Sequence, residues 1–124
     1  MLQYGEPPYL ECSTQGDKRF SPFCARIEAR NARTIESIYQ AAKVFKDGTT
    51  NLDWRRAKGR KAINQEELKV LYSQLWDEYI AENLWLLPVL KAQTGLSDMF
   101  GKEGNCCQVT ELWRIRNAQT TDSI

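Results

Sequence analysis

Thr34-Ile35-Glu36-Ser37-Ile38-Tyr39-Gln40-Ala41-Ala42-Lys43 is the stretch around which the rest of the chain is organised. At helical spacing, Ile35, Ile38, Tyr39, Ala42 and, just beyond, Phe45 make one apolar face. Glu36, Gln40 and Lys43 fall three to four residues apart on a second line, which sets an acid, an amide and an ammonium side by side. Such a row is either a solvated face or the polar wall of a site. Thr34 stands where an N-cap belongs, with a hydroxyl able to accept from the first turn.

Upstream of this helix, Cys24 to Arg30 alternates small or apolar Ala25, Ile27 and Ala29 with Cys24, Arg26, Glu28 and Arg30, the pattern of a half-buried strand. Asn31 to Arg33 then reads as a turn. Residues 1–19, with Pro7, Pro8 and Gly16, read as an extended leading segment holding at most a short strand near Tyr9 to Cys12. Downstream, Asp47 to Asn51 is a loop, and Asp53 to Arg60 a short helix that opens a basic run of Arg55, Arg56, Lys58, Arg60 and Lys61. That run is either solvated or a phosphate-contacting patch, and Trp54 is its one interleaved aromatic.

Asn64-Gln65-Glu66-Glu67 has the form of a capping box. Behind it Leu68, Leu71, Tyr72, Leu75, Trp76, Tyr79 and Ile80 follow helical spacing without a break, and this stripe reads as core. A further helix is expected from Asn83 through Leu84, Leu87 and Leu90, with Pro88 in its first turn or at a kink and Thr94-Gly95 closing it. Leu96 to Asn105 reads as a glycine-punctuated loop, followed by a last helix carrying Val109, Leu112, Trp113 and Arg116 and a polar tail from 117 to 124 expected to fray. The expected fold is mainly α within the α+β class: one domain over 1–124, four to five helices and a small strand element near residues 20–30, the alternative being almost no sheet.

Composition narrows the chemistry. Seventeen basic and sixteen acidic residues leave a net charge of +1, so any polyanion binding has to be local. The chain has no histidine, and Cys12, Cys24, Cys106 and Cys107 show no C-x-x-C spacing. The usual zinc sets are therefore not available, and neither a Ser-His-Asp triad nor a Cys-His pair can form. Acid and base work falls to carboxylates, Lys or Tyr. Buried or reduced thiols are expected, Cys12 and Cys24 foremost. With no signal-like leader and no apolar run of membrane length, the expected address is the cytoplasm.

Phe20-Ser21-Pro22-Phe23, the Thr34 to Lys43 stretch, Thr94-Gly95, Phe100-Gly101, Gly104 and Arg116 occur here in an order that resembles the NADAR family, small domains associated with NAD and ADP-ribose metabolism. That family shows F-S-N-F and then T-x-E-H-x-[YF]-Q-A-x-K, and the resemblance runs from residue 20 to residue 116. It departs at Ser37, where the family has histidine, at Phe100-Gly101 in place of Trp-Gly, and at Gly104 to Val109, which lacks a second glycine.

The resemblance implies an N-glycosidase or ADP-ribose-removing hydrolase acting on a ribosyl or ADP-ribosyl nucleotide. Its alternative is a non-catalytic binding module that sequesters an ADP-ribose-derived molecule, as a regulatory or phage counter-defence protein would. Glu36 matches the family's glutamate and is the expected catalytic carboxylate, ionised beside Lys43 and Gln40, with Asp98 or else Glu103 as the second acid. Arg26, Tyr39, Gln40, Lys43, Phe100, Gly101 and Gly104 are the expected ligand contacts: cations and backbone N–H groups for phosphate, Phe100 for stacking or, alternatively, as a plug under its loop. No metal and no cofactor enter this expectation. The expected partner is a nucleotide, with nucleic acid as a further partner through Arg55, Arg56, Lys58, Arg60 and Lys61, and no membrane.

Overall fold

The computed structural model describes residues 1–118 and is an α+β fold of five α-helices with two small sheets. Helix α3 (Gln65–Glu82) is its spine. The expected stripe is buried as the periodicity requires: Leu68, Tyr72, Leu75, Trp76, Tyr79 and Ile80 all lie in the interior, and Leu71 is half-buried. Truncating one of these large side chains, Trp76 for instance, costs about 3–5 kcal/mol through lost transfer energy and the void left behind.

The sheet departs from expectation. Strands β1 (Leu2–Gly5), β2 (Tyr9–Glu11) and β5 (Gly95–Asp98) form a three-stranded sheet in the order β1-β5-β2, with β1 antiparallel and β2 parallel to β5. Leu96 pairs with Tyr4 on one side and Leu10 on the other. In the leading segment Tyr9–Glu11 is the short strand expected there and Leu2–Gly5 a second edge strand, while the start of the expected loop at Leu96 is the central strand, buried at every position. Gly-Leu-Ser-Asp carries no β-branched residue and no alternation, so nothing local marks it as a strand. Its partners come from about ninety residues away, and sheet pairing decided where propensity was silent. Gly95 opens this strand rather than closing a helix: a Cβ there would run into the Glu6 carbonyl and, at 2.6 Å, into the Tyr9 ring.

Between residues 20 and 34 the expected strand shrinks to two residues. Strands β3 (Arg26–Ile27) and β4 (Arg33–Thr34) pair as a short hairpin, and Glu28–Arg30 coils into a single 3-10 turn. The turn ends on Asn31 and Ala32, both with positive φ. Helix α3 pins this excursion. Glu82 accepts from the backbone N–H groups of Glu28 and Ala29 at 2.7 and 2.9 Å, and Arg30 donates twice to Glu78 at 2.8 Å. Carboxylate partners held on a rigid helix outweigh the alternating pattern.

Helix α1 (Ile35–Ala41) is capped by Thr34, whose hydroxyl accepts from Ser37 N at 3.1 Å, as expected. It ends before Phe45, which instead joins Ala57, Ala62 and Leu68 in a second, smaller core. Helix α2 (Trp54–Ala57) is a single turn capped by Asp53. Asn64 begins α3 without closing a capping box. Its Oδ1 accepts from Val44 N at 3.0 Å and its Nδ2 donates to the Ala42 carbonyl at 3.0 Å, which ties α3 to the end of α1. Helix α4 (Leu86–Lys91) is shorter than expected and carries Pro88 in its first turn, while α5 (Gln108–Asn117) packs on α3, α4 and the sheet. Of the tail expected to fray, Asn117 is the last helical residue, and residues 119–124 lie outside the described ones. No helix among the described residues is long and apolar enough to cross a membrane.

Candidate functional site

Three segments distant in sequence meet around one cavity of about 850 Å³. Helix α1 contributes Glu36, Tyr39 and Gln40, with Lys43 just after it; the end of β5 and its following loop contribute Asp98, Phe100 and Gly104. The Ser21-Pro22-Phe23 segment forms part of the wall. It is locked to the start of α1, because Glu36 N donates to the Pro22 carbonyl at 3.0 Å and Ile35 N to that of Ala25 at 2.9 Å. Phe20 beneath it is wholly buried and anchors the segment to the core.

Glu36 is 8% exposed and lies on this cavity. Its Oε2 accepts from Gln40 Nε2 at 2.6 Å. Burial pushes its carboxyl above the ordinary carboxylate range, and the Gln40 bond, Lys58 and Lys43 only partly oppose that. Desolvation is the largest influence on this group, while Gln40, Lys58 and Lys43 act in the direction of the ionised form expected for it. Lys43 acts less on Glu36 than its spacing implied. Its ammonium donates to the carbonyls of Ala57 and Arg60 at 3.3 and 3.2 Å, closing the end of the α2 turn, and burial lowers its pKa.

Gln40 is buried and, with Nε2 committed to Glu36, its Oε1 has no hydrogen-bond partner among the described residues. Tyr39 is half-buried, edge-on to Tyr72 at 5.1 Å between ring centroids, and burial raises its hydroxyl pKa. Asp98 is 5% exposed at the end of the central strand. Its Oδ1 accepts from Phe100 N at 3.0 Å and its Oδ2 from the Cys107 thiol at 3.3 Å, which holds the carboxyl group in one orientation. Cys107, pushed up to about 12 chiefly by burial, stays a thiol and keeps that donor.

Three expected residues do other work. Arg26 is not on the cavity wall; its guanidinium donates to the Ala32 carbonyl at 2.8 Å and steadies the β3-β4 turn. Gly101 is buried, donates its N–H to the Asp98 carbonyl at 3.0 Å, and lies where a Cβ would come within 3.1 Å of Leu2 and 3.2 Å of the Cys107 sulfur. Gly101 is closely packed and lies off the cavity wall, so a side chain there would press on Leu2 and Cys107 and not on a bound ligand. Glu103, the alternative second acid, is exposed and is not part of the wall. Ser37, next to Glu36, is also off the wall and donates to the Thr34 carbonyl at 3.2 Å.

Other residues enter the wall unannounced. The basic run divides: Lys58, Arg60 and Lys61 line the cavity, whereas Arg55 and Arg56 do not. Lys69 from α3 and Lys102 from the loop after β5 join them, so exposed cations from three parts of the chain share the cavity wall with two buried carboxyl groups. Lys69 and Lys102 are indistinguishable in sequence from ordinary surface lysines. Phe23, 37% exposed, was visible only as part of Phe20-Ser21-Pro22-Phe23, and Phe100 is 61% exposed, a ring at the rim rather than a plug. The chain matches no family model, no curated protein and no solved structure.

Proposed function

We propose that this chain is an N-glycosidase or ADP-ribose-removing hydrolase that cleaves the bond between ribose and a base or base-like group in a phosphate-bearing nucleotide. The observation that carries the reading is the meeting of Glu36 and Asp98, both buried, on one cavity rimmed by Lys58, Arg60, Lys61, Lys69 and Lys102. At about 850 Å³ the cavity is of the size that encloses a nucleotide-sized ligand.

Breaking an N-glycosidic bond passes through an oxocarbenium-like state, and the departing base needs a proton. In this reading Glu36, whose pKa burial raises, is the group that supplies that proton, with Gln40 fixing the position of its Oε2. Asp98, oriented by Phe100 N and the Cys107 thiol, is the second carboxyl group, stabilising positive charge on the sugar or accepting a proton from the attacking water. The lysine and arginine rim neutralises phosphate, and Phe23 and Phe100 offer ring faces to a base.

The test is incubation with ADP-ribosyl and ribosyl-pyrimidine compounds, followed by chromatography of the denatured mixture. Released base and sugar are expected, with Glu36→Gln lowering turnover by about 10²–10⁴-fold while ligand affinity stays near that of the original chain. Ligand bound and recovered intact would replace this reading with the sequestering module. Undiminished turnover by Glu36→Gln would remove Glu36 from the mechanism.

A further inference from the structure

The cavity wall continues outward in the same chemistry. Phe23, on the rim, meets Trp54 edge-on with ring centroids 5.5 Å apart and an interplanar angle of 76°. The Lys58 ammonium lies 4.9 Å from the Phe23 ring and 6.0 Å from that of Trp54, and the Arg55 guanidinium is 5.4 Å from Trp54. Residues 53–61 set one carboxylate, Asp53, against the five cations Arg55, Arg56, Lys58, Arg60 and Lys61. Asp53 is engaged in capping α2, and none of the five forms an ion pair among the described residues. In sequence Trp54 was the lone aromatic of this run; folding brings a second ring to it from thirty-one positions upstream.

From this geometry we infer that the Phe23-Trp54 pair and the cations around it form a landing surface for a single strand of nucleic acid. Aromatic rings interleaved with unpaired cations suit a strand whose bases are free to stack while its phosphates meet lysine and arginine. A duplex hides its base faces, and an acidic peptide has none to offer. Phe23 and Lys58 belong to both the rim and this surface, whereas Trp54, Arg55 and Arg56 lie beyond the cavity. A free nucleotide filling the cavity leaves those three untouched; a strand with one nucleotide at the mouth reaches them. With the whole chain at +1, this patch is a local field and not a general one. The inference stands apart from the hydrolase reading, because an unmodified strand can bind here whether or not the cavity performs chemistry.

The experiment is fluorescence anisotropy with a labelled single-stranded oligothymidine of about ten nucleotides, alongside a duplex of equal length and poly-glutamate as competitors. The single strand is expected to bind, and the duplex and poly-glutamate to compete at least about tenfold more weakly, since neither presents a ring to stack. Affinity should fall with salt at a log-log slope of about −2 to −3, as three or four phosphate contacts require. Trp54→Ala should weaken binding about tenfold with the slope unchanged. The paired change Arg55→Ala with Arg56→Ala, at two exposed positions, should flatten the slope by about 1.4 and carries the test if Trp54→Ala fails to fold. Absence of binding at low salt, equal competition by poly-glutamate, unaltered affinity of a folded Trp54→Ala, or an unaltered slope in the arginine pair would each overturn the proposal.

Discussion

Replacing Gln40 by Met is expected to change stability in a pH-dependent way, because the side chain holds two opposed contributions. Its Nε2 donates to Glu36 Oε2 at 2.6 Å, while its Oε1 is buried with no partner among the described residues. A hydrogen bond to a charged group is worth about 1.5–3 kcal/mol, a neutral one about 1 kcal/mol, and an unsatisfied buried acceptor costs about 1–3 kcal/mol. Glu36 has a folded-state pKa above the ordinary 4.5, so the folded protein holds this proton more tightly than the unfolded chain does. Stability from this group is accordingly greatest in acid and declines as pH rises from about 4.5 through the raised folded value.

Gln40 is the largest influence holding that pKa down, so Gln40→Met raises it further and steepens the decline. At about pH 4 the lost neutral bond and the relieved acceptor roughly cancel. At about pH 8 the variant should be less stable than the original chain by about 1–2 kcal/mol, because the bond lost there is one to a charged group. Urea unfolding at both pH values measures the difference, and Glu36→Gln provides the control background in which it should vanish. An equal stability change at both pH values, or one that persists beside Glu36→Gln, would refute the account of a desolvated carboxyl group held by a single amide.

Gly95→Ala should destabilise the fold by about 1–3 kcal/mol, since the added methyl meets the Glu6 carbonyl and the Tyr9 ring at the head of the central strand. An unchanged urea midpoint would mean that the three strands do not close on one another there. Among the thiols, Cys24, free but exposed rather than buried, should react first with a thiol reagent at neutral pH, while Cys12 and Cys107 stay protected until unfolding. Burial pushes both of the latter up to about 12, which keeps them protonated and unreactive; labelling of either at the rate of Cys24 would contradict their placement.

What could be read from the sequence was whatever repeats at short range. The stripe from Leu68 to Ile80 needs only the helical period to be recognised, and α3 follows it to within a residue of its signals. Thr34 as the cap of α1, the turn at Asn31, and Glu36 and Gln40 on a shared line were equally local facts. The cap and the shared line depend on two consecutive turns of backbone, whereas the turn at Asn31, though legible locally, is also pinned from α3 by Glu78 and Glu82.

Tertiary structure decided which of those local possibilities became a site. The central strand Gly95–Asp98 has no propensity of its own and exists because Leu2–Gly5 and Tyr9–Glu11 complete its hydrogen bonds on both edges. That pairing carries Asp98 to the cavity where Glu36 already stands. Lys43 and Gly101 kept their positions and changed their work, one to closing a helical turn and the other to close packing. Lys69, Lys102 and Phe23 became part of the wall only through the path of the chain. Helical periodicity is written in neighbours, but burial, and with it the raised pKa of Glu36, is a property of everything that folds around it.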